Sequence, residues 1–345
     1  MNTPHFYLLA SLLACVVTAV CVPLLRKYAG RLFLDTPGGL KHHQGAIPAV
    51  GGGAIMMGLF ASLIFIRLTT HFPTGTLHSL RGVLYGAIII FILGLFDDTH
   101  KPAGVSIPIK LAGQIAATLC LIAYGTHLTL LDSAWVSYPL TFLWVVGITN
   151  AFNLLDISDG LCTGQAFVCT LGLYIISLPS EYIYVNFGAC ALAGACAGFW
   201  PYNHISHIKT FLGDSGSTLL GFLLAALSMG AGYSEYSYIG FLAPLLILAI
   251  PIFDTSFVTL IRLKQGKNPL LASPDHAAIR LAKVGFSPFS VLWIFVGAGI
   301  FFNLLAFLVS HTTGLIAGLI FLVALSLLLL AGWLLAIIQI DNEKK

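Results

Sequence analysis

The chain has 345 residues, of which 58% are hydrophobic and only 8% charged, with a mean hydropathy of +0.95. A soluble domain carries roughly 25% charged residues, so this composition excludes one and calls for a polytopic membrane protein whose core is shared among packed spans. The net charge of +3 comes with no basic stripe interleaved with aromatics, which argues against nucleic acid as a partner.

The N-terminal stretch "MNTPHFYLLASLLACVVTAV" has no basic n-region, and its small residues run on into more apolar sequence, so a first span near 6–25 is expected rather than a cleaved signal peptide. Further runs able to cross about 30 Å of hydrocarbon lie near 47–66, 80–96, 108–125, 138–155, 163–179, 183–200, 215–231, 237–260, 289–309 and 314–339. These predict about eleven transmembrane helices, the fifth and eighth least sharply bounded because polar residues enter their ends. There is no internal repeat, low-complexity linker or folded extramembrane segment, so residues 1–345 read as one all-α integral domain. The seven cysteines sit in or beside apolar runs with no CxxC pair, and are expected to be small buried hydrophobes rather than disulfides or zinc ligands.

Placing the N-terminus outside puts fourteen of the sixteen Lys and Arg residues on the cytoplasmic side and leaves Arg67 and Arg81 on the other. This bias predicts an N-out, C-in topology. The same orientation collects the clustered polar residues on the cytoplasmic face: "GLFDDTHKP" (94–102), "NAFNLLDISDGL" (150–161), "KTFLGDSGSTLLGF" (209–222) and "RLKQGKNPLLASPDHAAIRL" (262–281). The opposite side offers only Asp132, Glu181 and Glu235, scattered singly.

Adjacent Asp97 and Asp98 repel and, if partly desolvated, want a cation or a shared proton. Together with Asn153 and Asp214 they could make an oxygen-rich site, which suits Mg²⁺ or Mn²⁺ rather than zinc. Asn150, Asn153, Asp156 and Asp159 follow one another at three-residue spacing, so neighbouring pairs share a helix face. Gly160 is expected to end that helix and leave Asp159 in the loop, while Asn150 could equally serve a helix–helix hydrogen bond. Gly213 to Gly216 open the eighth run. Free N–H groups at such a start can bind phosphate, and Asp214 there requires a metal between carboxylate and phosphate; a plain N-cap by Asp214 or Ser215 is the alternative. Lys110 can hold a phosphate or snorkel to the interface. Lys41, His42 and His43 precede a glycine triplet suited to close backbone approach. Asp254 is an intramembrane acid and so a functional candidate, either in direct contact with substrate or through a supporting hydrogen bond.

The order of these motifs resembles the polyprenyl-phosphate N-acetylhexosamine-1-phosphate transferases, a family that includes the bacterial undecaprenyl-phosphate GlcNAc-1-phosphate transferases and the phospho-MurNAc-pentapeptide translocases. The pieces that carry the resemblance are "DTPGGLKHHQGAIPAVGG", "LGLFDDTHKPAGVSIPIKLAGQ", "NAFNLLDISDGLCTG", "FLGDSGSTLLGF", "PIFDT" and "DHAAIRL", over about 35–290. Eleven spans with the N-terminus outside are similar to the GlcNAc-type branch.

The resemblance implies a multi-pass enzyme of the bacterial inner membrane that acts at the cytoplasmic face, serves cell-envelope polysaccharide synthesis and requires Mg²⁺, or Mn²⁺ in its place. A UDP-N-acetyl-sugar, UDP-GlcNAc first, gives its sugar-1-phosphate to undecaprenyl phosphate and releases UMP. Asp97 is implied as the base, with Asp98 supporting it or the metal. Asn153 and Asp214 are implied as metal ligands, and Lys110 as a contact to the pyrophosphate. Asp159 and Phe211 are implied at the uracil with Lys41 nearby; Asn150, Asp156, His43, His276, Arg262 and Arg280 complete the substrate-binding set. Membrane lipid is the remaining partner, and a homodimer is admitted.

Two features depart from the family pattern. "DISDG" carries Ile157 in place of a glycine, and "DHAAIR" keeps only His276 of a histidine cluster. The second departure predicts that His276 and Arg280 together bind the donor in a more apolar sugar pocket, one that tolerates a 6-deoxy sugar. The rival readings are the MurNAc-pentapeptide translocase and, in another class, a transporter; the latter would want midplane acids and repeated halves.

Overall fold

The computed structural model describes residues 4–35, 45–70, 76–101, 103–129, 133–178, 183–205, 207–231, 233, 240–269, 271 and 273–338. Helices account for nearly all of it: α1 (Pro4–Tyr28), α2 (Gly51–Thr69), α3 (Thr76–Thr99), α4 (Ile107–Ala123), α5 (Ala134–Leu155), α6 (Leu161–Ser177), α7 (Ile183–His204), α8 (Asp214–Gly230), α9 (Ala243–Ile247, entered through a 3-10 turn at Gly240–Leu242), α10 (Ala249–Lys264), α11 (Ala277–Lys283), α12 (Pro288–His311) and α13 (Gly314–Ile337). Between α1 and α2, β1 (Leu34–Asp35) pairs antiparallel with β2 (Ile47–Pro48), Leu34 opposite Pro48 and Asp35 opposite Ile47.

This is an all-α polytopic membrane protein. Each apolar run of the sequence falls on a helix or a broken helix, but length separates them. Among the described residues seven helices are long and apolar enough to cross a membrane, or eight if a bent pair counts as one span. The helices α4, α6 and α8 have 17 residues each, short of the roughly 20 that hydrocarbon thickness asks for.

The ninth run is not the single straight span that hydropathy suggests. Pro251 has no N–H for the Ile247 carbonyl four residues earlier, and its ring crowds that carbonyl. The helix breaks at Leu248, and the two pieces diverge by 68°. The Ile247 carbonyl released by the break accepts the Cys169 thiol of α6 at 3.1 Å. A backbone group freed at membrane depth needs such a protein partner, so this cysteine has a more specific task than filling space.

Small residues set the spacing of the bundle. The α7 stretch "GACALAGACAG" lies against α1, where a Cβ on Gly194 or Gly198 would strike the Ser11 or Cys15 backbone. Helix α8 is central and packs on α3, α5 and α6; thirteen of its residues are buried, Leu219, Leu220 and Phe222 completely. Helix α13 is peripheral, with only Ala317 and Ala324 buried. Its exposed leucines need no polar cover in a lipid solvent.

Candidate active site

Where α3, α5 and α7 end and α2, α4, α6 and α8 begin, the polar residues meet on one face of the bundle. Three backbone bonds tie this face together: Gly51 N–H and Gly52 N–H donate to the Phe211 and Leu212 carbonyls at 3.0 and 2.9 Å, and Phe211 N–H donates to the Pro48 carbonyl at 2.9 Å. The glycine triplet is needed here. A Cβ at Gly52 would collide with the Gly216 amide and the Ser215 hydroxyl, and one at Gly94 with the Ser215 backbone. The start of α8 is therefore wedged between α2 and α3.

The two adjacent aspartates have separate tasks. The Asp97 carboxylate, buried at the end of α3, accepts the Lys110 ammonium on Oδ2 and the Val105 N–H on Oδ1, both at 2.5 Å. Asp98 instead accepts the Asp214 N–H on Oδ1 at 2.9 Å and the Ser215 N–H on Oδ2 at 3.0 Å. It caps α8 from 116 residues away.

Asp98, implied beside Asp97 as support for the base or the metal, has both oxygens bonded to the α8 backbone. One expectation is corrected: the first amides of α8 are not open to phosphate, because Asp98 holds them. Gly213, with φ at +78°, makes the turn that aims those amides at Asp98, and a Cβ there would strike the carboxylate.

Asp214 receives the Asn153 side-chain amide on Oδ1 at 2.6 Å, and the same amide donates to the Ser217 hydroxyl at 3.0 Å. On Oδ2 it meets the Lys101 ammonium at 3.1 Å. Lys101 also lies 2.8 Å from Asp98 and 3.8 Å from Asp35. Burial alone would lower this ammonium's pKa; the charges of Asp214, Asp98 and Asp35 outweigh that and hold it well above the usual lysine range.

Sequence reasoning counted Lys101 only toward topology, although its i,i+3 spacing from Asp98 was a legible signal. Asp35 was likewise missed. Just past the end of α5, burial, followed by the negative charge of Asp214, pushes the Asp156 carboxyl up to about 7.

Asp159, in the turn as expected, pairs with Lys209, whose ammonium also lies 5.6 Å from the Phe211 ring centroid. The two residues expected at the base are thus brought together, through a lysine the sequence did not single out. Gly160, at φ +77°, starts α6 while its N–H donates to Asn203 at 2.6 Å and its carbonyl accepts the Trp200 indole at 3.1 Å.

Other expected site residues are occupied elsewhere. Asn150 donates to Gln114 at 2.9 Å, receives Gln114 in return at 3.2 Å, and donates to the Val146 carbonyl at 2.8 Å; it joins α4 to α5. Asp254 accepts Ala277 N–H at 2.8 Å and lies 2.7 Å from His276 Nδ1, so it anchors the start of α11. Arg280, 3% exposed, pairs with Asp275 at 3.0 Å and donates to the Leu335 and Ile338 carbonyls, fastening α11 to the end of α13. Arg262 is buried and donates to the Asn268 carbonyl at 2.8 Å.

His276 and Arg280, expected together at the donor, are both buried, and the guanidinium donates to internal acceptors. Lys41, His42 and His43 lie outside the described residues.

The cluster of Asp97, Asp98, Asp214, Asp35, Lys101, Lys110 and Asn153 suits phosphate chemistry with a hard cation. Its donors are all oxygen, and Lys101 shows that a positive charge fits between the carboxylates. Among the described residues no three His, Cys, Asp or Glu side chains form a protein-only cage. Mg²⁺ takes one or two carboxylates and completes its shell with water and substrate phosphates.

Residues 80–232, which run from α3 through α8 and hold most of this cluster, match glycosyl transferase family 4. The undecaprenyl-phosphate alpha-N-acetylglucosaminyl 1-phosphate transferase of Thermotoga maritima is 33% identical over 277 residues, 79% of this chain and 80% of its own length. The chain belongs to this family.

Other glycosyl transferase family 4 relatives span both branches. The probable undecaprenyl-phosphate N-acetylglucosaminyl 1-phosphate transferase of Bacillus subtilis is 29% identical over 317 residues, 88% of this chain and 85% of its own. The phospho-N-acetylmuramoyl-pentapeptide-transferase of Halalkalibacterium halodurans is 28% identical over 323 residues, 87% and 96% respectively.

Proposed function

We propose that this protein transfers N-acetylhexosamine-1-phosphate, with UDP-GlcNAc as the first donor, to undecaprenyl phosphate at the cytoplasmic face of the bacterial inner membrane. The observation that carries the reading is the Asp97–Lys110 pair at 2.5 Å, set beside the Asn153–Asp214 bond at 2.6 Å, within a family of sugar-1-phosphate transferases. An oxygen of the lipid phosphate attacks the sugar-bearing phosphorus of the donor. The bridging P–O bond breaks, its electron pair leaves with UMP, and the product is a lipid pyrophosphate.

Phosphoryl transfer asks the protein mainly for position and charge neutralisation. Lys110 neutralises the phosphates, while Asp97 takes the proton of the monoanionic lipid phosphate. Since a phosphate monoester loses its second proton near pH 6, part of the nucleophile arrives already dianionic. Asp214 and Asn153 would hold Mg²⁺, which would supply charge neutralisation at the pyrophosphate. Asp98 sets Asp214 by fixing the first turn of α8. Lys209, Asp159 and Phe211 at the rim receive the uracil.

Membranes given UDP-GlcNAc and undecaprenyl phosphate should release UMP, and chelation should stop it. Asp97→Asn should lower turnover by about 10²–10⁴-fold, the range of general acid–base catalysis, with donor affinity little changed. Release only from UDP-MurNAc-pentapeptide would move the chain to the other branch, and full activity in EDTA would remove the metal.

A further inference from the structure

We propose that Lys101 is a built-in counter-cation that competes with the divalent ion for Asp214, so that the protein's own ammonium sets its metal affinity. The inference rests on the reading just given and extends it to a residue that reading leaves without a task. One Asp214 oxygen receives Asn153 at 2.6 Å, and the other faces the Lys101 ammonium at 3.1 Å. A divalent ion approaching this carboxylate has to take the side that Lys101 occupies, because two cations sharing one partly buried oxygen repel strongly.

Lys101 has somewhere to go. Asp98 cannot follow it or leave, being held by the Asp214 and Ser215 amides at 2.9 and 3.0 Å, yet it keeps a contact of 2.8 Å to the ammonium. Asp35, on the far side at 3.8 Å, is a second carboxylate too distant for a tight bond at present and close enough to form one after a small swing. Among the described residues three carboxylates, Asp35, Asp98 and Asp214, lie within 3.8 Å of the Lys101 ammonium. Lys101 therefore need not leave the cluster when the ion enters. It gives up Asp214 and keeps Asp98 and Asp35. A lysine serving only as a strut would show none of this competition.

The test is Mn²⁺ binding to the purified full-length protein in detergent with UMP present, followed by electron paramagnetic resonance, for wild type, Lys101→Met and Lys101→Arg. A charge this close moves ionic equilibria by about tenfold or more. Lys101→Met should accordingly bind Mn²⁺ about tenfold more tightly, and Lys101→Arg should stay near wild type. Thermal melting should show a larger stabilisation by Mg²⁺ in Lys101→Met than in wild type. A second measurement covers a variant that fails to fold: reductive methylation of wild-type Lys101, read by mass spectrometry against exposed Lys27, should speed up several-fold at saturating Mg²⁺.

Equal affinity in wild type and Lys101→Met, or methylation indifferent to Mg²⁺ in a protein that binds it, overturns the inference and leaves the transfer reaction standing. A wild type that binds no divalent ion and transfers in EDTA overturns the metal reading itself.

Discussion

Asp98 and Asp254 use the same device in different places: each is a buried carboxylate at the start of a helix distant in sequence, Asp98 accepting two backbone amides and Asp254 one. Arg280 does the converse at the end of α13, where carbonyls lack partners. Its loss leaves Asp275, 6% exposed on its side chain, without a counter-charge. Breaking such a buried pair costs about 3–5 kcal/mol, so Arg280→Ala should lower the melting temperature markedly, whereas donor affinity in the folded fraction should change little. A variant that melts like wild type but binds the donor poorly would return Arg280 to the substrate.

Asp156 gives a pH signature at the same scale. Its carboxyl holds a proton more tightly folded than unfolded, so it favours the folded state at low pH. That contribution fades as pH rises from the ordinary aspartate range through about 7. Asp156→Asn cannot ionise and should remove the fall. In EDTA, the melting temperature of the variant relative to wild type should rise between pH 5 and pH 8; a constant difference would refute the shift.

Among the elements, α8 and the broken α9–α10 pair decide how the site is built. The glycines that let α2, α3 and α8 converge predict asymmetric costs. Gly52→Ala pushes a methyl into the Gly216 amide, and overpacking of this kind costs about 1–3 kcal/mol. It should also disturb turnover, since Asp214 sits on that turn. Gly297→Ala, in α12 with nothing within 4 Å, should be neutral or slightly stabilising. Melting curves of both variants check the pair, and equal effects would mean that the close approach of α2 and α8 is not as described. Hydropathy located the ninth run correctly but took it for one straight helix. The apolar pattern continues through the break, and the partner that makes the break tolerable, Cys169, lies 78 residues earlier.

At the scale of the whole molecule, the Lys and Arg bias predicts that tags after Lys101 and after Lys267 are cytoplasmic and that one between α12 and α13 is on the other side. Finding the first and last on the same side would overturn the orientation and the proposed access of a cytosolic donor. The sequence by itself determined the membrane class, the apolar runs, the order of the polar motifs and the gathering of Asp97, Asn153 and Asp214 on one face. It could do so because hydrocarbon thickness and the cost of charge in lipid act along the chain, residue by residue.

Only the tertiary structure decided which of those polar residues face each other. It gave Asp98 to the α8 backbone, Asn150 to Gln114, and Arg280 to Asp275 and the end of α13, and it placed Lys101 among three carboxylates. Pairing of this kind depends on helices far apart in sequence. A buried donor or acceptor takes whichever partner the packing brings within about 3 Å, and no local spacing encodes that choice.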